Sequence, residues 1–168
     1  MSNDFFINIG RFVLLVLLQV IILNKINFLG YINPYLYIMF ILILPVNYPN
    51  WQVIILGFLL GLSIDIFEDT GGIHAAACLV ISYLRPGLLR ASYGLSYDYQ
   101  TVKFHDTSIK ERLTFVTTMV FIHQLVLSLL VFFNFSYIIL ILKNTLFSGI
   151  FTILLILVVT SLFRKIER

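Results

Sequence analysis

Asp65, His74, His123 and Lys143 are the residues of this chain best placed to do chemistry. Each lies inside or at the edge of an apolar run, where an ionisable group is costly and requires a reason. Asp65 with His74 or Lys143 would make a buried acid–base or ion pair. His123, next to Gln124 in the middle of Leu113–Phe133, could serve a proton relay or an interhelical hydrogen bond. A relay needs a chain of titratable groups, and no acidic residue falls at matching depth on another apolar run, so the hydrogen bond is the expectation. Glu68 and Asp69 are adjacent carboxylates on a short connection, a pattern of solvated turns rather than of acid–base catalysis. His105-Asp106 reads as a solvated pair. His74, His105 and His123 are too far apart to give metal-ligand spacing, and the chain contains neither a nucleophile elbow nor a P-loop. The expectation is a protein that is not an enzyme, with no catalytic residue, cofactor or metal.

The elements that position these residues are set by lipid. Of 168 residues, 60% are hydrophobic and 11% charged, with a mean hydropathy of +1.01. Soluble domains carry about 25% charged residues, so this surface is not built for water. Crossing the hydrocarbon core takes roughly 20 apolar residues. Six runs qualify as spans, at about 5–23, 31–46, 51–67, 73–89, 113–133 and 137–163. They form a single all-α, polytopic membrane domain over 1–168. The second, third and fourth are slightly short, and the sixth is long and interrupted at Lys143-Asn144. No small-x-small cleavage pattern precedes Asn24-Lys25, so the first run reads as a retained signal anchor. The lone Cys78 lies in an apolar run and reads as a small packing residue.

Orientation follows from the cations. With the N-terminus inside, Arg11, Arg85, Arg90, Lys103, Lys110, Arg112, Arg164, Lys165 and Arg168 all reach the cytoplasmic side, and only Lys25 lies outside. The positive-inside rule therefore gives an N-in/C-in topology. It also accounts for the net charge of +3 without nucleic acid as a partner. The one substantial loop, about 91–112, is cytoplasmic, bears Tyr93, Tyr97 and Tyr99, and reads as a lipid-surface segment able to touch a cytoplasmic partner.

Gly57, Gly61 and Asp65 recur every four residues and so share one face of the third span. Glycines at this spacing let helices approach closely. Ala75, Ala76, Ala77 and Cys78 on the fourth span are equally small. The tight Glu68–Gly72 connection predicts an antiparallel hairpin with Asp65 buried and satisfied by a nearby donor. Gly71-Gly72 suits a turn with unusual backbone angles. Asp65, His74 and Lys143 fall at similar depth near the outer face.

The stretch Gly57-x-x-x-Gly61-Leu62-x-x-Asp65-x-Phe67, then Gly72-x-His74-Ala75, then Tyr83-Leu84-Arg85-Pro86, resembles MreD, the rod shape-determining membrane protein family of bacterial cell-wall elongation. The resemblance implies a multi-pass protein of the bacterial cytoplasmic (inner) membrane. It would be a non-enzymatic subunit of the elongasome that serves cell shape and peptidoglycan synthesis. Implied partners are MreC and, directly or through it, a class B penicillin-binding protein and RodA, with MreB filaments reached indirectly. The fold implied is similar to that of the substrate-binding subunits of ECF vitamin transporters. The alternative is therefore a small-molecule binder, for which Asp65, His74, Lys143 and Asn144 are the candidate pocket residues. The helix-packing or partner-site candidates are Gly57, Gly61, Asp65, Gly72, His74, Arg85, Pro86 and Lys143.

Overall fold

The computed structural model describes residues 2–26, 32–94 and 108–166. Six α-helices occur among them: α1 (Ser2–Ile21), α2 (Met39–Ile43), α3 (Asn50–Glu68), α4 (Ile73–Tyr93), α5 (Ile109–Phe132) and α6 (Ile138–Ile166). Four helical stretches, Phe6–Lys25, Asn50–Glu68, Ile109–Phe132 and Ile138–Ser161, are long and apolar enough to cross a membrane. Large apolar side chains on them face outward, among them Leu14 (58% exposed), Ile139 (71%) and Leu154 (56%). Such a surface is stable against hydrocarbon and not against water, so the chain is an all-helical membrane protein. Most of the 91–112 loop, including Tyr97, Tyr99 and His105-Asp106, lies outside the described residues.

Local sequence sets the helix boundaries. Extended Pro49 precedes α3, which ends on Asp69 in the left-handed region (φ 54°) with its N–H closing on the Asp65 carbonyl. After a two-glycine turn (φ 66° and 100°) α4 begins. These glycine angles are ones that a Cβ disfavours. In α5, Ser108 and Glu111 form a reciprocal capping box that starts the helix four residues ahead of the expected Leu113.

The fourth helix runs past its expected end at Leu89, and the interruption read in the sixth is absent. α4 continues through Arg85-Pro86 to Tyr93, Pro86 forgoing only the bond to the Ser82 carbonyl one turn back. α6 runs unbroken through Lys143-Asn144: Lys143 is exposed, and Asn144 bonds Ser128 Oγ at 3.2 Å and Ser148 Oγ at 3.1 Å.

The second apolar run differs most from a uniform span. Only a 3₁₀ turn at Leu36–Ile38 and the five residues of α2 are helical, eight residues that rise about 14 Å at the pitches of the two helix types. Yet Leu36 to Leu42 are all buried, with Tyr37, Ile38 and Ile41 at 0% exposure. An amphipathic helix buries one stripe; this segment is buried all round. It runs antiparallel to α1: Gln19 bonds Pro34 and Leu36, Phe12 stacks edge-on against Phe40 at 5.3 Å, and Asn8 bonds Tyr48 at 3.0 Å. Consecutive helices α3, α4, α5 and α6 pack side by side, and α1 and α6 both touch the central 3₁₀ turn. The core is thus a short internal segment enclosed by long helices.

Candidate functional site: a buried tyrosine between two histidines

The polar centre of the molecule is built on chain that is not helical. Residues 33–35 carry no regular structure, so their main-chain groups need partners from elsewhere, since lipid supplies none. Gln19 of α1, fully buried, serves the Pro34 carbonyl and the first N–H groups of the 3₁₀ turn that follows. Its Oε1 accepts from the N–H groups of Leu36 (2.8 Å) and Tyr37 (3.4 Å), and its Nε2 donates to the Pro34 carbonyl (2.9 Å) and to Asn24 Oδ1 (2.6 Å). From the opposite side, Thr152 Oγ1 on α6 accepts from the Tyr35 N–H at 3.0 Å.

This clamp fixes Tyr37, whose hydroxyl lies 2.8 Å from His74 Nδ1 on α4 and 2.9 Å from His123 Nε2 on α5. A phenol has one proton. It donates to one ring and accepts an N–H from the other, so the two neutral imidazoles share one tautomer, both protonated on Nε2 or both on Nδ1. Both rings meet Tyr37 at steep angles, 72° and 73°, and Tyr35 packs beside them with centroids 5.7 Å from His74 and 6.3 Å from His123. Cys78 Sγ is 4.0 Å from His123 Nε2. The hydroxyl can pass a proton between the rings, but the path ends there: His123 Nδ1 is buried and has no hydrogen-bond partner among the described residues.

Asp65 stands behind His74 and serves the hairpin. Gly72, at the N-cap of α4, has no side chain to cap it. The Asp65 carboxylate reaches across from α3 instead, accepting from the N–H of His74 (3.0 Å) and Ala75 (2.8 Å) and from the Thr70 hydroxyl. These N–H groups are the orphans of α4's first turn, where negative charge is favoured. The approach is possible because Gly57 and Gly61 are bare. A Cβ on Gly61 would sit 2.5 Å from the Ala75 Cα and 2.6 Å from its N, and one on Gly57 would run into the Ser82 hydroxyl.

The remaining expected residues separate. Arg85 is 3% exposed and donates through Nη2 to the Leu44 carbonyl; it ties α4 to the end of the central segment rather than lying free in a loop. Lys143 is exposed on α6 and does not pair with Asp65, whose two oxygens face α4 and Thr70. Asp65, His74, Lys143 and Asn144 therefore do not converge on a common pocket. Sequence reasoning missed Tyr37, Gln19 and Thr152. Gln19 was the available signal, because an amide inside an apolar run must find partners or incur a desolvation penalty.

No protein-family model matches the chain, and neither a curated protein nor a solved structure is significantly similar to it.

Proposed function

We propose that this protein is a non-enzymatic scaffold subunit of the bacterial cell-wall elongation machinery. It would cross the cytoplasmic membrane six times with both ends inside and bind MreC, and through it the peptidoglycan synthases. The observation that carries the reading is where the polar groups go. The residues of the MreD-like motif, Gly57, Gly61, Asp65, Gly72 and His74, act together as one lock between α3 and α4. The Asp65 carboxylate bonds α4 main chain and the Thr70 hydroxyl, and the His74 ring bonds Tyr37, all inside the protein, while broad apolar faces on α1 and α6 are left toward the bilayer. The connections between α3 and α4 and between α5 and α6 are short, which favours work done laterally within the membrane.

The antiparallel course of residues 34–48 along α1 supports a second crossing that is part extended and part helical. Non-helical backbone is tolerated at membrane depth when it is enclosed in protein. The test is recovery of the tagged chain from native membranes in mild detergent, together with its depletion in the parent cells. The reading predicts stoichiometric co-purification of MreC and loss of rod shape on depletion. Absence of MreC combined with unchanged cell width would overturn it.

A further inference from the structure

The neutral protons of the triad fit in two ways, with both rings carrying theirs on Nε2 or both on Nδ1. The burial of His123 chooses between them. Its ring is fully buried, and Nδ1 has no hydrogen-bond partner among the described residues. A buried N–H without an acceptor is rarer in folded proteins than a buried acceptor without a donor. The proton of His123 therefore sits on Nε2, and the Tyr37 oxygen accepts it at 2.9 Å. The Tyr37 hydroxyl then donates to His74 Nδ1 at 2.8 Å, and His74 carries its own proton on Nε2. Of the three side chains only His74 has an exposed edge, 6% against 0% for the other two.

The lone pair with which His74 could meet acid is thus the one that Tyr37 holds. We propose that the triad is an acid-operated latch: His74 takes up a proton at Nδ1 as its bond to Tyr37 opens, and that bond cannot re-form while the proton stays. The proton comes from water at the exposed edge of His74, and the ring becomes an imidazolium with an N–H on both nitrogens. Two N–H groups then face one hydroxyl, whose own proton has lost its acceptor because His123 Nε2 is already a donor. The unfolded chain loses no such bond, so acid weakens the folded state. Burial opposes a cation at His74, while the carboxylates of Asp65 and Glu68 on α3 draw one. The other titratable groups around it, His123 on α5, Tyr35 and Tyr37 on the central segment and Cys78 on α4, carry no charge in the resting triad. The part that moves is defined by what still holds. α4 stays fixed to α3 by the glycine contacts and the Asp65 cap, and Arg85 ties its far end to the Leu44 carbonyl. The lost bond therefore frees the end of the α3–α4 pair beside the Asp69–Gly72 turn. On the topology proposed above that turn faces out of the cell, so the acidity read is external; the latch itself rests on the triad alone.

Imidazole nitrogen NMR reads tautomer and charge directly. The sample is full-length protein in detergent micelles with isotope-labelled histidine rings and His105→Gln, which leaves His74 and His123 as its histidines. At neutral pH both rings should show Nε2–H. Between about pH 7.5 and pH 5.5, around the ordinary imidazole value, His74 should take one proton and His123 none. The hydrogen-bonded signal of the Tyr37 hydroxyl should disappear in the same step. The open fraction should rise about tenfold per pH unit, as linkage to one proton requires. The thermal midpoint should fall over this interval in the parent and stay level in His74→Gln. Both rings as Nδ1–H, a His74 that stays neutral throughout the interval, or one that protonates with its Tyr37 bond intact would overturn the latch. So would an acid dependence that persists in His74→Gln, because a carboxylate such as Asp65 would then be its source. Where His74→Gln does not fold, the NMR measurement still decides, since it needs no change within the triad.

Discussion

The Tyr37 hydroxyl joins three separate parts of the chain, the central segment, α4 and α5. Tyr37→Phe keeps the ring and its packing but leaves a nitrogen of each histidine buried without its partner. Leaving a buried polar group unsatisfied costs about 1–3 kcal/mol, so the variant should melt several degrees below the parent in detergent, whereas Tyr83→Phe, at a position 70% exposed, should not move the midpoint. Equal midpoints for both variants would show that the triad contributes nothing to stability. Asp65 behaves differently because its partners are main-chain N–H groups. An amide at this position turns one donor toward another, so Asp65→Asn should lose most of what a helix cap supplies, about 0.5–2 kcal/mol. Thermal unfolding of the two proteins side by side gives the difference, and an Asn variant as stable as the parent would reject the capping role.

At the scale of elements, the α3–α4 hairpin is the part that the sequence made legible. The four-residue spacing of Gly57, Gly61 and Asp65 is local information, and helix geometry converts it directly into a shared face. The structure adds an order of importance. A methyl on Gly61 meets α4 backbone, which cannot move without separating the helices, while a methyl on Gly57 first meets the Ser82 side chain, which can rotate. Gly61→Ala should therefore cost more than the about 1–3 kcal/mol typical of overpacking, and Gly57→Ala less than Gly61→Ala. The ratio of monodisperse to aggregated protein on gel filtration, with the melting midpoint, ranks them; the reverse order would mean that the helices are not held at this distance. The central segment was not legible in the same way. Its residues read as a plain apolar run, because the features that set it apart are contacts 15 to 117 residues distant in sequence. Lys143-Asn144 misled for the opposite reason: a polar pair looks like a break until Asn144 is seen bonded to Ser128 and Ser148.

For the whole molecule, the decisive question is whether residues 34–48 cross the bilayer or enter and leave on one side. The hydrogen bonds argue for crossing. The start of the segment lies against Gln19, near the end of α1, and Tyr48 lies against Asn8, near its beginning. At the far end Arg85 grips the Leu44 carbonyl, whereas the Asp65–His74 turn sits at the other end of the same α3–α4 pair. Enclosure makes such a path affordable only if each main-chain group keeps its partner. Gln19→Leu would strand the Pro34 carbonyl and the Leu36 N–H together, and it should reduce the folded yield sharply. The path itself is read by single cysteines placed in a Cys78→Ala background and reacted with a membrane-impermeant maleimide. If the segment crosses, Asp69→Cys and Asn134→Cys label in intact cells, while Tyr48→Cys and Lys110→Cys label only after the membrane is opened. Labelling of Tyr48→Cys from the same side as Lys25→Cys, at the end of the first helical stretch, would make the segment re-entrant, leave an odd number of crossings, and place the two chain ends on opposite faces.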